Sequence, residues 1–545
     1  MNTRMKELPS VAGQDFDLCV IGGGAMGSAC ALDAQLRGIR TALVEAGDFQ
    51  GGTSSAATKL MQGRGQRLNE MRSHSDLEGN DSDRLLDRQI CTPQNAPYLT
   101  RKLEILVPSY RGIGIENSDV SESIDRWLCN LTRTRTKKYL SEKDTLARMP
   151  HLNPTGLVGS VLYADTQFDD TRYNIAVVQS FVAAGGHALN HVRVLDFRRG
   201  LDGRISGVVA KDQIADRRFA FNARVVVNAT GATSDVLRQM ATPAVPKRID
   251  MVKVAQILLP MEVFPAKDAL LVPETREARA LFAVPWNGRL LVGTTDKNVD
   301  SEAEMALTEK DIDNLLGNMN RFVSGTVKPV HVVSGMAEAS PRLVGSDKDN
   351  REDIESEQTI EVDPESALIS IIGANKMTHW TTVENAINAV QDIIGLARTH
   401  SHTWNHVLYG SERFADEFWK RPLSGLNLSR RTVNHLACRF GTATENILKL
   451  AQRNIDLAAP LVKGYPAIKS EVIYSVREEM AATIEDVLAR RIGLQPYSWK
   501  MALAAAPIVG GLMAEELRWS DRDASKAIKD YMRKIHDLLD SAGLS

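Results

Sequence analysis

Three glycines and one carboxylate set the first chemical expectation. Gly22, Gly24 and Gly27 stand in a Gly-x-Gly-x-x-Gly pattern that encloses Ala25 and Met26, and Glu45 follows 23 residues after Gly22. The first glycine permits a tight turn, the second lets backbone approach a pyrophosphate, and the third lets a helix pack closely on a strand. Amide groups at the start of that helix then face the phosphates, and an acid at this distance holds a ribose hydroxyl. The chemistry is dinucleotide binding. The flanks agree, because Asp17 to Ile21 reads as an apolar strand, Ser28 to Gly38 as a small-residue helix, and Ile39 to Val44 as a second strand that ends at the acid.

The stretch after Glu45-Ala46 suits a large ligand. Gly51 to Leu60 is small and hydroxyl-rich: Thr53, Ser54 and Ser55 offer hydrogen bonds, and Lys59 and Leu60 close the run. In this order, the glycine turn, the ribose acid and Thr-Ser-Ser-x-x-x-Lys-Leu resemble the FAD-dependent glycerol-3-phosphate dehydrogenases. The likeness covers roughly residues 15–540 and includes a second glycine turn at Ala229-Thr230-Gly231 and the Gly293-Thr294-Thr295-Asp296 signature. It implies FAD as cofactor, since two such turns on one chain favour FAD over a lone nicotinamide site. By the same resemblance, the strand backbone at Val194 reaches the adenine, and the turn at Gly373, with Thr378 beyond it, returns to the flavin ring.

The resemblance also implies a reaction, oxidation at C2 of a phosphorylated three-carbon polyol, with hydride passing to the flavin and a base taking the hydroxyl proton. A phosphate dianion calls for arginine forks and a lysine. Here the sequence departs from the family pattern at four places. Gln62 holds a histidine position, and an Arg-Tyr pair falls on Gln66-Arg67. Ser-Lys-Gly-x-His becomes Val252-Lys253-Val254-Ala255-Gln256. The arginine expected after Ser334-Gly335 returns only at Arg342, and the substrate lysine falls on Asn375, with Lys376 beside it. The candidate catalytic set is therefore Arg64, Arg67, Arg342 and Lys376 for the phosphate and His379 as base, with no metal. Three readings stay open: a rebuilt glycerol-3-phosphate pocket, a different hydroxy acid or amine, and a non-catalytic flavoprotein scaffold.

These groups need a frame of 545 residues, enough for two or more domains. The expected fold is α/β: a Rossmann-like FAD domain over residues 1–395, interrupted by a mixed-sheet substrate cap at about 76–150 and 246–345, then an all-helical domain over 396–545. Residues 1–14 read as a disordered leader. His435 to Ala451, Ile468 to Ile492, Trp499 to Trp519 and Arg522 to Leu539 read as successive helices. A net charge of −2 gives no footing for nucleic acid, and five scattered cysteines without a Cys-x-x-Cys pair argue for a reducing compartment. The stretch Met501 to Met513 is too short to span a bilayer. The expected location is cytoplasmic, and the resemblance adds peripheral contact on the inner face of a membrane, a quinone acceptor and a homo-oligomer.

Overall fold

The computed structural model describes residues 3–52, 59–60, 92–111, 138–272, 280–299, 305–344, 359–373, 379–414 and 426–545. Among the described residues, two eight-stranded sheets form the frame. The first contains β1 (Asp15–Ile21), β2 (Thr41–Val44), β6 (His187–Leu189), β7 (Val192–Arg199), β8 (Ile205–Asp212), β9 (Arg217–Asn228), β15 (Thr359–Val362) and β16 (Ile369–Ile372). Its central path runs β15-β16-β9-β1-β2-β6, and β1 lies parallel to both β2 and β9. Runs such as Thr41–Val44 and Ile369–Ile372 are buried at every position, as a sheet covered on both faces requires. Helices Ala25–Leu36, Asp170–Ala183 and His379–Ile394 cover the face that carries Leu18, Val20, Leu43 and Val225. The hairpin of β7 and β8 covers the opposite face, which carries Cys19, Ala42, Val44 and Val226. Parallel pairing brings the carboxyl ends of β1, β2 and β9 to one edge, the place where open sheets of this kind bind ligands.

The second sheet contains β3 (Thr100–Tyr110), β4 (Lys138–Ser141), β5 (Leu157–Phe168), β10 (Ile249–Pro260), β11 (Ala269–Val272), β12 (Leu281–Trp286), β13 (Arg289–Val299) and β14 (Ser334–Leu343). Its order is β14-β10-β13-β12-β11-β3-β5-β4, so the first inserted segment contributes strand as far as Phe168. Side chains alternate between its two faces. Ala255, Ile257, Leu259 and Val292 pack toward helix Glu309–Met319 and the C-terminal helices. Leu258, Val284, Trp286 and Leu291 form the other face, which also receives Leu60 from the first unit.

Three expectations are corrected. The N-terminal residues form a helix, Thr3–Val11, because Arg4 reaches the buried Asp212 carboxylate at 2.6 Å and Val11 is fully enclosed. The helix expected over 435–451 is split into Arg430–Phe440 and Thr444–Arg453 by Gly441, whose φ is 55° and where a Cβ would lie 1.9 Å from the Gly410 carbonyl oxygen. The span 468–492 is likewise broken after Glu478, and Asp486–Arg491 forms a π-helical turn. Among the described residues, no helix is long and apolar enough to cross a membrane.

Candidate cofactor site and its buried support

The glycine turn is built so that no other residue fits its key positions. Gly22 leaves β1 at φ 109°, and a Cβ there would stand 2.5 Å from the Ala229 carbonyl oxygen. A Cβ on Gly27 would stand 1.8 Å from the Gly22 carbonyl oxygen. Ala25 and Met26 open helix Ala25–Leu36, whose N-cap, Gly24, offers no side-chain cap. That helix end is a natural anion site. Glu45 follows the last residue of β2, and its carboxylate accepts the Gly23 and Gly47 amides at 2.6 Å each. Burial raises the Glu45 pKa, and these two amides work against the rise. The Gly23 carbonyl is pinned in turn by the Asn174 amide at 2.9 Å, Ser28 Oγ at 3.2 Å and the Gln50 amide at 3.1 Å. The Ala46 carbonyl accepts the Gln213 side chain. Val194 lies buried on β7, whose first residue, Val192, donates its amide to the Glu45 carbonyl at 2.7 Å.

The second turn stands against the first. The Ala229 amide donates to the Ile21 carbonyl at 2.9 Å, and Gly231 takes φ 57°. Buried Asn228 shapes it: Oδ1 accepts Thr230 Oγ1 at 2.7 Å, and Nδ2 donates to the Ser234 carbonyl at 2.9 Å. Gly373, at φ 89°, ends β16 nearby in the same sheet. Lys59 and Leu60 join the two sheets. The Lys59 carbonyl accepts the Phe168 amide at 3.1 Å, its ammonium meets Asp170 at 2.5 Å and lies 5.3 Å from the centre of the Trp286 ring, and Leu60 bridges to Gln167.

A family model described as FAD dependent oxidoreductase matches residues 17–351, and one described as the C-terminal domain of alpha-glycerophosphate oxidase matches 401–524. The probable mitochondrial glycerol-3-phosphate dehydrogenase of Dictyostelium discoideum is 30% identical over 547 residues, covering 95% of this chain and 83% of that protein. The chain belongs to the FAD-dependent glycerol-3-phosphate dehydrogenases. The human mitochondrial glycerol-3-phosphate dehydrogenase is 29% identical, covering 93% of this chain and 71% of that one. The Bacillus halodurans glycerol-3-phosphate dehydrogenase, solved with FAD, superposes with TM-score 0.80 at 27% identity over 98% and 97% of the two chains. The cofactor of this chain is FAD, and the glycine turn, the uncapped helix end and the Glu45 carboxylate fit it.

Of the candidate substrate groups, the described residues include the Arg342 side chain. Thr53, Ser54, Ser55, Arg64, Arg67, Lys376 and Thr378 lie outside the described residues. His379 opens helix His379–Ile394, but its side chain is not among those described. Arg342 sits opposite Asp250, on the same face of β14 as Met336, which lies opposite Gln256. Six residues of strand separate Arg342 from Met336, so Arg342 and Gln256 stand about 20 Å apart on that face. Lys253, the one residue kept from the family's lysine motif, lies on the other face. Its ammonium reaches Asp311 at 2.6 Å and the Ala306 carbonyl at 2.5 Å, at the start of helix Glu309–Met319.

A buried ionic network, marked by no motif in the sequence, holds the loop that carries Asp48. Asp48 accepts Arg491 Nη1 at 2.6 Å and Nη2 at 2.8 Å, Arg490 Nε at 2.5 Å and Asn190 Nδ2 at 2.8 Å. Burial opposes the Asp48 charge, but Arg491 and Arg490 outweigh it and hold the carboxyl below the usual range. Asp48, His191 and Asp486 approach one another within 4.8 Å, the reach of a metal set, but the two guanidinium groups already neutralise the carboxylates. No sequence signal marks these pairs, since their partners are more than 400 residues apart.

His191 gives this network a pH dependence. Burial alone would lower its pKa, yet Asp486, 2.8 Å from Nε2, outweighs burial and raises it above the ordinary value of 6.5. The imidazolium therefore contributes its full stability below 6.5, and the contribution is lost as pH rises through the higher folded value. Thermal melting is expected to show Tm falling across that window, with this component missing in His191→Gln. A variant with the same slope as the parent would refute the assignment.

Proposed function

We propose that the protein oxidises sn-glycerol 3-phosphate at C2 to dihydroxyacetone phosphate and passes the electron pair to a quinone. The observation that carries this reading is the 30% identity to a glycerol-3-phosphate dehydrogenase across 95% of the chain. FAD, when bound, supplies the two-electron acceptor for the hydride released from C2. In this reading Gly22, Gly24, Ala25, Met26 and Gly27 hold its pyrophosphate and Glu45 and Ala46 its ribose. Val194 meets the adenine, and Ala229, Thr230 and Gly231 flank the dinucleotide. Thr53, Ser54, Ser55, Lys59, Leu60, Gly373 and Thr378 line the flavin end. Arg64, Arg67, Arg342 and Lys376 balance the substrate phosphate, and His379 takes the hydroxyl proton. We place the protein in the cytoplasm, peripheral on the inner face of the membrane, as a homo-oligomer.

A second reading, another hydroxy acid or amine as substrate, is favoured by two observations. Lys253 is committed to Asp311 on the far face of the sheet, and Gln256 occupies a position where the family carries histidine. Losing charge-assisted contacts of this kind costs about 1.5–3 kcal/mol each. The deciding experiment is anaerobic titration of the yellow holoenzyme. Glycerol 3-phosphate is expected to bleach the flavin absorbance, and a quinone analogue to restore it. Bleaching only by hydroxy acids or amines would replace the first reading with the second. A flavin that no such substrate reduces would leave a scaffold.

A further inference from the structure

We infer that the C-terminal helical domain sets the geometry of the FAD ribose loop, with Arg490 and Arg491 as positioning residues that act on Glu45 through Asp48. The loop from Glu45 to Gly51 is irregular backbone that follows β2. Asp48 is its charged anchor. The Asp48 carbonyl accepts the Gly51 amide at 3.0 Å, while its carboxylate receives both arms of the Arg491 fork. Gly47, the preceding residue, gives its amide to the Glu45 carboxylate, and its carbonyl accepts the His191 amide at 2.6 Å. Phe49, the following residue, lies so close beneath Gly23 that a Cβ there would be 2.6 Å from its ring. A shift of Asp48 is therefore felt on one side by the ribose acid and on the other by the pyrophosphate turn.

The arginines are held as firmly as the loop. Arg491 is fully buried, and its Nε and Nη2 donate to the Glu479 carbonyl at 3.1 and 2.8 Å. Arg490 also binds Asp486 at 2.9 Å, and both arginines sit on the π-helical turn Asp486–Arg491. Asn190 completes the clamp, donating to Asp48 and to the Met480 carbonyl at 3.0 Å. Buried ion pairs are poor suppliers of net stability compared with apolar packing. A rigid bidentate fork on a carboxylate fixes position instead, and the position it fixes here is that of the loop carrying Glu45.

The test compares FAD release on serial dilution of holoenzyme variants, read from flavin fluorescence, together with Tm. Arg491→Met is expected to weaken FAD binding by about ten- to a hundredfold. Arg491→Lys, which keeps the charge but not the fork, should fall between this and the parent. Leu448→Ala is the control: it opens a cavity among Leu436, Ile447 and Tyr474 in the same domain, lowers Tm, and leaves FAD affinity within about twofold of the parent. Should Arg491→Met fail to fold, Arg490→Met at the more exposed arginine carries the test, with about fivefold weaker binding expected. Parental FAD affinity in the arginine variant tested, or an equal loss in Leu448→Ala, would overturn the inference.

Discussion

Gly27→Ala is expected to yield a protein that purifies without yellow colour. The added Cβ would lie 1.8 Å from the Gly22 carbonyl oxygen and 3.2 Å from the Ala229 Cβ. Carbon–oxygen contacts do not reach the first distance, and the nearest atom is backbone, so helix Ala25–Leu36 must move off the sheet or the turn must open. Either movement displaces the helix end that, in the proposed function, holds the pyrophosphate. Overpacking of this kind costs about 1–3 kcal/mol of stability, and the cofactor site is the element displaced. Gly317→Ala is the matched control. It lies within helix Glu309–Met319, and its added methyl group would meet nothing within 4 Å, so it should gain about 0.5–1 kcal/mol and keep full flavin. The ratio of visible flavin absorbance to protein absorbance reads both variants, and a yellow Gly27→Ala protein would show that the turn tolerates what the geometry forbids.

Arg172→Met is expected to cost about 3–5 kcal/mol of stability, the usual penalty for breaking a buried ion pair from one side. Arg172 sits on helix Asp170–Ala183 of the FAD unit, and its fork meets Glu479 of the C-terminal domain at 2.8 and 2.6 Å. Its Nε donates to the Arg439 carbonyl at 3.0 Å, and the guanidinium lies 4.4 Å from the centre of the Phe440 ring. The Glu479 side chain has no solvent exposure, and without Arg172 its closest ion-pair partner is Arg491 Nε at 3.9 Å. The penalty comes from the stranded carboxylate rather than from lost attraction. The double variant Arg172→Met/Glu479→Met should therefore recover most of the loss. Urea unfolding midpoints decide the matter: a double variant as unstable as the single one would assign the cost to packing around Phe440 instead.

The two variants divide along the line between what is legible in a sequence and what is not. Gly27 is legible because its constraint is local. The turn, helix and strand it separates are neighbours in the chain, and a fixed spacing encodes their contact. The same holds for Glu45, for the apolar runs of β1, β2 and β9, and for the second turn at Ala229-Thr230-Gly231. Periodicity is less dependable in the helical domain. It runs through Gly441 unchanged because both flanking helices bury the same kind of residue, while the break is imposed by the Gly410 carbonyl from another part of the chain.

By itself, then, the sequence determined the fold class, the FAD cofactor and the family, since steric patterns between near neighbours survive in one dimension. Only the tertiary structure decided that Lys253 faces Asp311, that Arg342 stands far along the sheet from Gln256, and that Arg172 and Arg491 find Glu479 and Asp48. Those partners are set by which charged groups the fold encloses together, 307 and 443 residues apart for the two arginine pairs, and no local spacing carries that information.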